Sequence, residues 1–104
     1  MPRKDIDYSN TIIYRIVCKD TSITDCYVGH TTNFINRKNG HKTKCNNEKD
    51  KNYNLNVYQF IRDNGNWENW DMIEIERCNA IDGNDALKRE RYWMEIYKSS
   101  LNMK

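Results

Sequence analysis

The sequence predicts a single α+β domain, a three-stranded antiparallel β-sheet flanked by helices in the order β-β-α-α-β-α. Three observations lead there. The chain has 104 residues, enough for one core that buries roughly two thirds of the unfolded surface and too few for two domains. Two β-branched and aromatic runs separated by a polar turn stand near its start, which is the pattern of a hairpin. A third strand-like run then lies between segments with helical spacing, an order that suits an antiparallel sheet covered by helices better than alternating βαβ units. The expected boundaries are a lead-in over residues 1–10 and one domain over residues 11–102.

Each element has its own signal. Thr11 to Cys18, TIIYRIVC, reads as a strand with Ile12, Tyr14, Ile16 and Cys18 on one face and Thr11, Ile13, Arg15 and Val17 on the other. Lys19 to Asp25 is polar and turn-rich, and Cys26 to His30 resumes as the second strand of a hairpin. Thr31 and Thr32 offer N-caps for a helix from about Asn33 to Lys44, which carries Phe34, Arg37 and His41 on one face. Gly40 weakens that helix by about 1 kcal/mol relative to Ala. Cys45 to Asn52, CNNEKDKN, has no apolar residue after its first and reads as an exposed loop. A second helix from about Asn54 to Asp63 places Val57, Phe60 and Ile61 inward and stops at Asn64-Gly65. Asp71 to Cys78 alternates as a third strand with Ile73 and Ile75 toward the core. A last helix starts near Asp82 to Asn84 and runs to about Ser99.

Composition narrows the class. Ala occurs only at Ala80 and Ala86, against seven Tyr and three Trp, so a few large side chains must do the packing. No run approaches the roughly 18 apolar residues of a membrane span, and Met-Pro-Arg-Lys-Asp opens no apolar segment of signal-peptide length. The chain therefore reads as soluble and intracellular, with no membrane partner. In that setting Cys18, Cys26, Cys45 and Cys78 read as reduced thiols, and no Cys-x2-Cys spacing points to zinc. The net charge is +2, but His30 to Lys51 carries six Lys and Arg against Glu48 and Asp50. A basic stretch of this kind suits nucleic acid, and equally a solvated surface.

Three clusters look chemical. Ala86, Glu90, Trp93 and Tyr97 share one helical stripe, which sets a carboxylate among apolar residues. A carboxylate so placed needs a cation, a metal or a donor, and a salt bridge to Arg89, Arg91 or a basic residue across the core would also serve. Arg37 and His41 lie one turn apart, an anion-binding fork beside a group that titrates near neutral pH. Tyr14 and Tyr27 fall on the two hairpin strands, where such pairs commonly pack across the sheet, and Gly29 after the second allows close backbone approach by a ligand.

Taken in order, Ile13-Tyr14, Tyr27-Val28-Gly29, Arg37 with His41, Glu90 before Trp93, and Asn102 resemble the GIY-YIG nuclease domain, over Ile12 to Asn102. The likeness is greatest to the homing-endonuclease-like branch and to small GIY-YIG proteins of large DNA viruses. An excess of Asn, Lys, Ile and Tyr, whose codons are A/T-rich, agrees with such a source. The resemblance implies a metal-dependent DNA endonuclease, with DNA as partner and Mg2+ or Mn2+ as cofactor. It would make Glu90 the sole protein ligand of the metal and Arg37 the phosphate clamp. Tyr14 and Tyr27 would line the attack side, one of them assisting the water, and His41 would bond a tyrosine or phosphate. Gly29, His30 and Asn102 would contact or brace the substrate. Ile12 replaces the family's first Gly, a position with no functional group. The resemblance also implies that targeting comes from a further region, a separate partner or a homodimer, because the catalytic module makes few phosphate contacts. The alternative is a catalytically silent nucleic-acid-binding domain of the same fold.

Overall fold

The computed structural model describes residues 8–102; residues 1–7 of the expected lead-in lie outside them. Three strands, β1 (Thr11–Cys18), β2 (Cys26–Thr31) and β3 (Trp70–Cys78), make one antiparallel sheet in the order β2-β1-β3. The central strand is the one richest in β-branched residues, and both of its faces are buried from Thr11 to Tyr14. Helices α1 (Phe34–Asn46) and α2 (Asn56–Asp63) cover the face that carries Tyr14, Ile16 and Cys18, and with Trp67, Trp70 and Met72 they close the main core. Helix α3 (Gly83–Tyr97) packs on the opposite face, chiefly over β2. There Arg15 stacks on the Tyr97 ring at 4.1 Å. This is the α+β order β-β-α-α-β-α expected from the residues.

Several local expectations shift. Asn33, not Thr31 or Thr32, caps α1, its side chain accepting from Asn36 N–H. The Thr31 hydroxyl instead accepts from Asn33 N–H and closes the turn out of β2. Helix α1 also runs two residues past Lys44, so Cys45 is a buried helical residue and not the start of an exposed loop. Arg62 of α2 donates to the Cys45 carbonyl at 2.9 Å, a cation placed at a helix C-terminus where unpaired carbonyls gather. Helix α2 starts at Asn56, and its buried residues are Val57, Tyr58 and Ile61; Phe60 is only half-buried.

Strand β3 departs most. Trp70 and Met72 face the main core opposite Cys18 and Ile16, while Ile73 is 43% exposed opposite Arg15. Ile13 pairs with Glu76 and Tyr14 with Glu74, leaving Ile75 unpaired. One extra residue in a strand breaks its period of two, so Glu76 lands on the face of α3. There it accepts from Arg89 at 2.6 and 2.9 Å and from Trp93 Nε1 at 3.0 Å, which fastens α3 to the far edge of the sheet.

Candidate active site

The site forms where β1, β2, α1 and α3 converge, and it begins with Tyr14. The Tyr14 ring is 1% exposed and lies across Gly29, its partner in the β1–β2 register. A Cβ built on Gly29 would stand 2.5 Å from Tyr14 Oη and 2.6 Å from its Cζ. The space that the glycine opens is therefore filled by Tyr14. Tyr27, two residues before, is half-buried, with its ring centroid 6.4 Å from that of Tyr14.

His41 stands behind the two phenols. Its Nε2 shares a 2.7 Å hydrogen bond with Tyr14 Oη, and its Nδ1 shares one of 2.8 Å with Tyr58 Oη. Trp67 stacks on the imidazole at 6.5 Å. Burial, followed by the charges of Arg37 and Lys44, lowers the His41 pKa to about 4. The ring is thus neutral at pH 7 and offers one bare nitrogen. Burial likewise pushes the Tyr14 and Tyr58 hydroxyls far above the ordinary phenol range.

Arg37 is exposed on α1, yet its charge reaches both phenols. For Tyr14, burial and the Tyr27 phenol raise the pKa, Arg37 pulls it back and Glu90 raises it again. For Tyr27, burial dominates, followed by the upward push of Glu90 and the downward pull of Arg37. A guanidinium and a carboxylate from helices on opposite faces of the sheet therefore act on the same pair of hydroxyls. Arg37 also lines an open groove of about 330 Å³ with Thr31, Thr32, Asn36 and Lys44.

Glu90 finds its partner in His30, across from α3 on β2. Its Oε1 is 2.9 Å from His30 Nδ1, and the two side chains are 16% and 26% exposed. Arg89, the neighbour that could have paired with it, is committed to Glu76. Among the described residues no group of three or more His, Cys, Asp or Glu is placed to hold a metal, so a cation here would rest on one carboxylate. Glu90 fits that requirement. It is partly open, its second oxygen has no protein hydrogen bond among the described residues, and hard cations of this size accept one carboxylate with water and phosphate oxygens completing the shell.

Asn102 lies on the edge of β2. Its Oδ1 accepts from Val28 N–H and its Nδ2 donates to the Val28 carbonyl, both at 2.8 Å. It therefore acts as a short extra strand that satisfies an otherwise open edge. The Asn102 side chain also borders a groove of about 490 Å³ shared with Tyr27, Leu55 and Val57. The residue that sequence reasoning missed is Tyr58. Its burial on α2 beside Val57 and Ile61 was the only signal, and the half-buried Phe60 competed for the same helix face.

The site thus gathers a buried and a half-buried phenol beside a neutral imidazole, with a guanidinium and a carboxylate acting on both phenols. A family model described as the GIY-YIG catalytic domain matches residues 10–104, and the chain belongs to the GIY-YIG family, a family of nuclease domains. No curated protein and no solved structure matches it. No helix among the described residues is long and apolar enough to cross a membrane.

Proposed function

We propose that this domain is an endonuclease that hydrolyses DNA phosphodiester bonds with one divalent cation, Mg2+ or Mn2+, held by Glu90. The observation that carries this reading is the packing of Tyr14 and Tyr27 together against His41, with Arg37 and Glu90 both acting electrostatically on the two phenols. When bound, the cation supplies charge neutralisation at the leaving 3′ oxygen. Arg37 holds the scissile phosphate with its fork of donors and stabilises the negative charge that builds on it. Tyr27, the more accessible phenol, orients the attacking water. Tyr14 takes the water's proton while passing its own to His41 Nε2, which is how a phenol of very high pKa can serve as a base at neutral pH. His30 fixes the Glu90 carboxylate through Nδ1 and contacts phosphate through its other ring nitrogen. Asn102 and Gly29 keep β2 and Tyr14 in register beneath the substrate.

The exposed lysines of α1 and the following loop, Lys38, Lys42, Lys49 and Lys51, extend the phosphate-binding surface away from Arg37. Within the family we place the chain with the homing-endonuclease-like branch and the small proteins of large DNA viruses, on motif spacing and on a composition rich in residues with A/T-rich codons. Choice of target would then rest with a separate region, a partner or a second copy of the chain.

The test is cleavage of supercoiled and branched DNA with Mg2+ or Mn2+, comparing wild type with Glu90→Ala and Arg37→Ala. Each substitution should slow nicking by at least about 100-fold, the scale of losing one charge-stabilising group, without unfolding the protein. Metal-independent nicking, or equal rates for wild type and both variants, would overturn the mechanism. A wild type that binds DNA but does not cut it, whichever metal is supplied, is the silent nucleic-acid-binding domain instead.

A further inference from the structure

We propose that Tyr58 is a positioning residue for this reaction: its oxygen accepts from His41 Nδ1–H and so holds the imidazole in the tautomer whose bare Nε2 takes the proton of Tyr14. The inference rests on the hydrolytic reading of the site. Its basis is the hydrogen-bonded chain Tyr14, His41, Tyr58, with contacts of 2.7 and 2.8 Å. The three side chains come from β1, α1 and α2, so one bond ties α1 to the sheet and the other ties α2 to α1, beside the Arg62–Cys45 hydrogen bond.

A neutral imidazole carries one N–H. With a phenol at each nitrogen, one phenol must accept and the other must donate. Both phenols feel Tyr27 and Arg37, but Glu90 acts on Tyr14, which lies against Tyr27 and Gly29 at the sheet, whereas Tyr58 approaches the ring from the helical layer. A proton drawn away from the substrate must therefore leave Tyr14 toward His41, and only a proton on Nδ1 leaves Nε2 free to receive it. Tyr58 is 3% exposed, and Trp67 stacks on the imidazole, so neither ring can swing to another partner. Packing alone would be served by Phe at this position. The hydroxyl is the part that needs a reason.

The proton count closes. The water oxygen bonds to phosphorus as the bond from phosphorus to the 3′ oxygen breaks, and the 3′ oxygen is protonated from solvent. One water proton passes to Tyr14 Oη as the Tyr14 proton passes to Nε2. The imidazolium then donates from Nε2 to Tyr14 and from Nδ1 to Tyr58, and it returns its extra proton by the same path once product has left. The second donation matters because burial and the charges of Arg37 and Lys44 oppose the imidazolium.

The experiment pairs ring-nitrogen NMR of His41 with single-turnover nicking of supercoiled DNA across pH, for wild type and Tyr58→Phe. The wild type should carry its proton on Nδ1. The variant should lose that preference, keep its DNA affinity, and cut on the order of 100-fold more slowly, with an altered pH profile. A wild-type proton on Nε2, or a folded Tyr58→Phe that cuts at the wild-type rate, overturns the inference while leaving the nuclease reading intact. Absence of wild-type cutting fails the nuclease reading itself and takes the relay with it. Should Tyr58→Phe not fold, the wild-type tautomer still decides the inference.

Discussion

At the scale of the residue, the site depends on a side chain that is absent. Gly29 is buried, and the volume a methyl group would need is occupied by the end of the Tyr14 ring, itself anchored by His41. Neither Tyr14 nor the β1 backbone opposite has free room to move. Gly29→Ala should therefore destabilise the fold by about 1–3 kcal/mol, the usual cost of overpacking, and should lengthen or break the Tyr14–His41 bond. Urea unfolding measures the first effect and the His41 ring-nitrogen shifts the second. Wild-type stability with an unchanged ring signal would show that Tyr14 is not so confined. Residue chemistry was also what sequence reading relied on. Tyr14, Tyr27, Arg37, His41 and Glu90 stood out because each is a reactive type at a spacing that one hairpin or one helix face explains. The partner of Glu90 did not stand out, because His30 is 60 residues away in the chain and only the packing of α3 over β2 brings the two together.

At the scale of the element, β2 is a short edge strand that would expose unpaired backbone groups next to the candidate site. Asn102 covers them with both ends of one amide. Removing it by Asn102→Ala should cost about 1–2 kcal/mol, the range for leaving partly buried backbone groups unsatisfied. Asn102→Asp should do no better, since a carboxylate accepts from Val28 N–H but cannot donate to the carbonyl. Hydrogen exchange at the Val28 amide is the direct check, and exchange in the alanine variant as slow as in wild type would contradict this role. The third strand teaches the complementary lesson. Its alternation was legible, its phase was not, because the unpaired Ile75 reverses which residues face α3. Nothing in DMIEIERC marks such a bulge, and Ile73 is left largely exposed where α3 does not reach.

At the scale of the whole molecule, the neutral, buried imidazole at its centre makes stability depend on pH. The folded His41 pKa is about 4, below the ordinary value of about 6.5. Between these values the unfolded chain binds a proton that the folded chain does not. Stability should therefore be highest above about pH 6.5 and fall as pH drops toward 4, by about 3 kcal/mol in total. Urea unfolding at a series of pH values reads the slope, and a His41→Gln variant should flatten it over this window. An unchanged slope in that variant would assign the effect to other groups. Glu76, whose carboxyl is held below its usual range first by the Arg89 hydrogen bond, acts in a lower window as its own protonation begins.

The sequence by itself determined the elements and their order and singled out the candidate side chains, because periodicity, caps and residue chemistry are local properties. The N-cap of α1, the end of α1, the phase of β3, the role of Gly29, the pairing of Glu90 with His30 and the place of Tyr58 were decided only by tertiary structure. Each of these depends on which groups, distant along the chain, compete for the same buried volume or the same hydrogen bond. That competition is settled when the sheet and helices pack and not before.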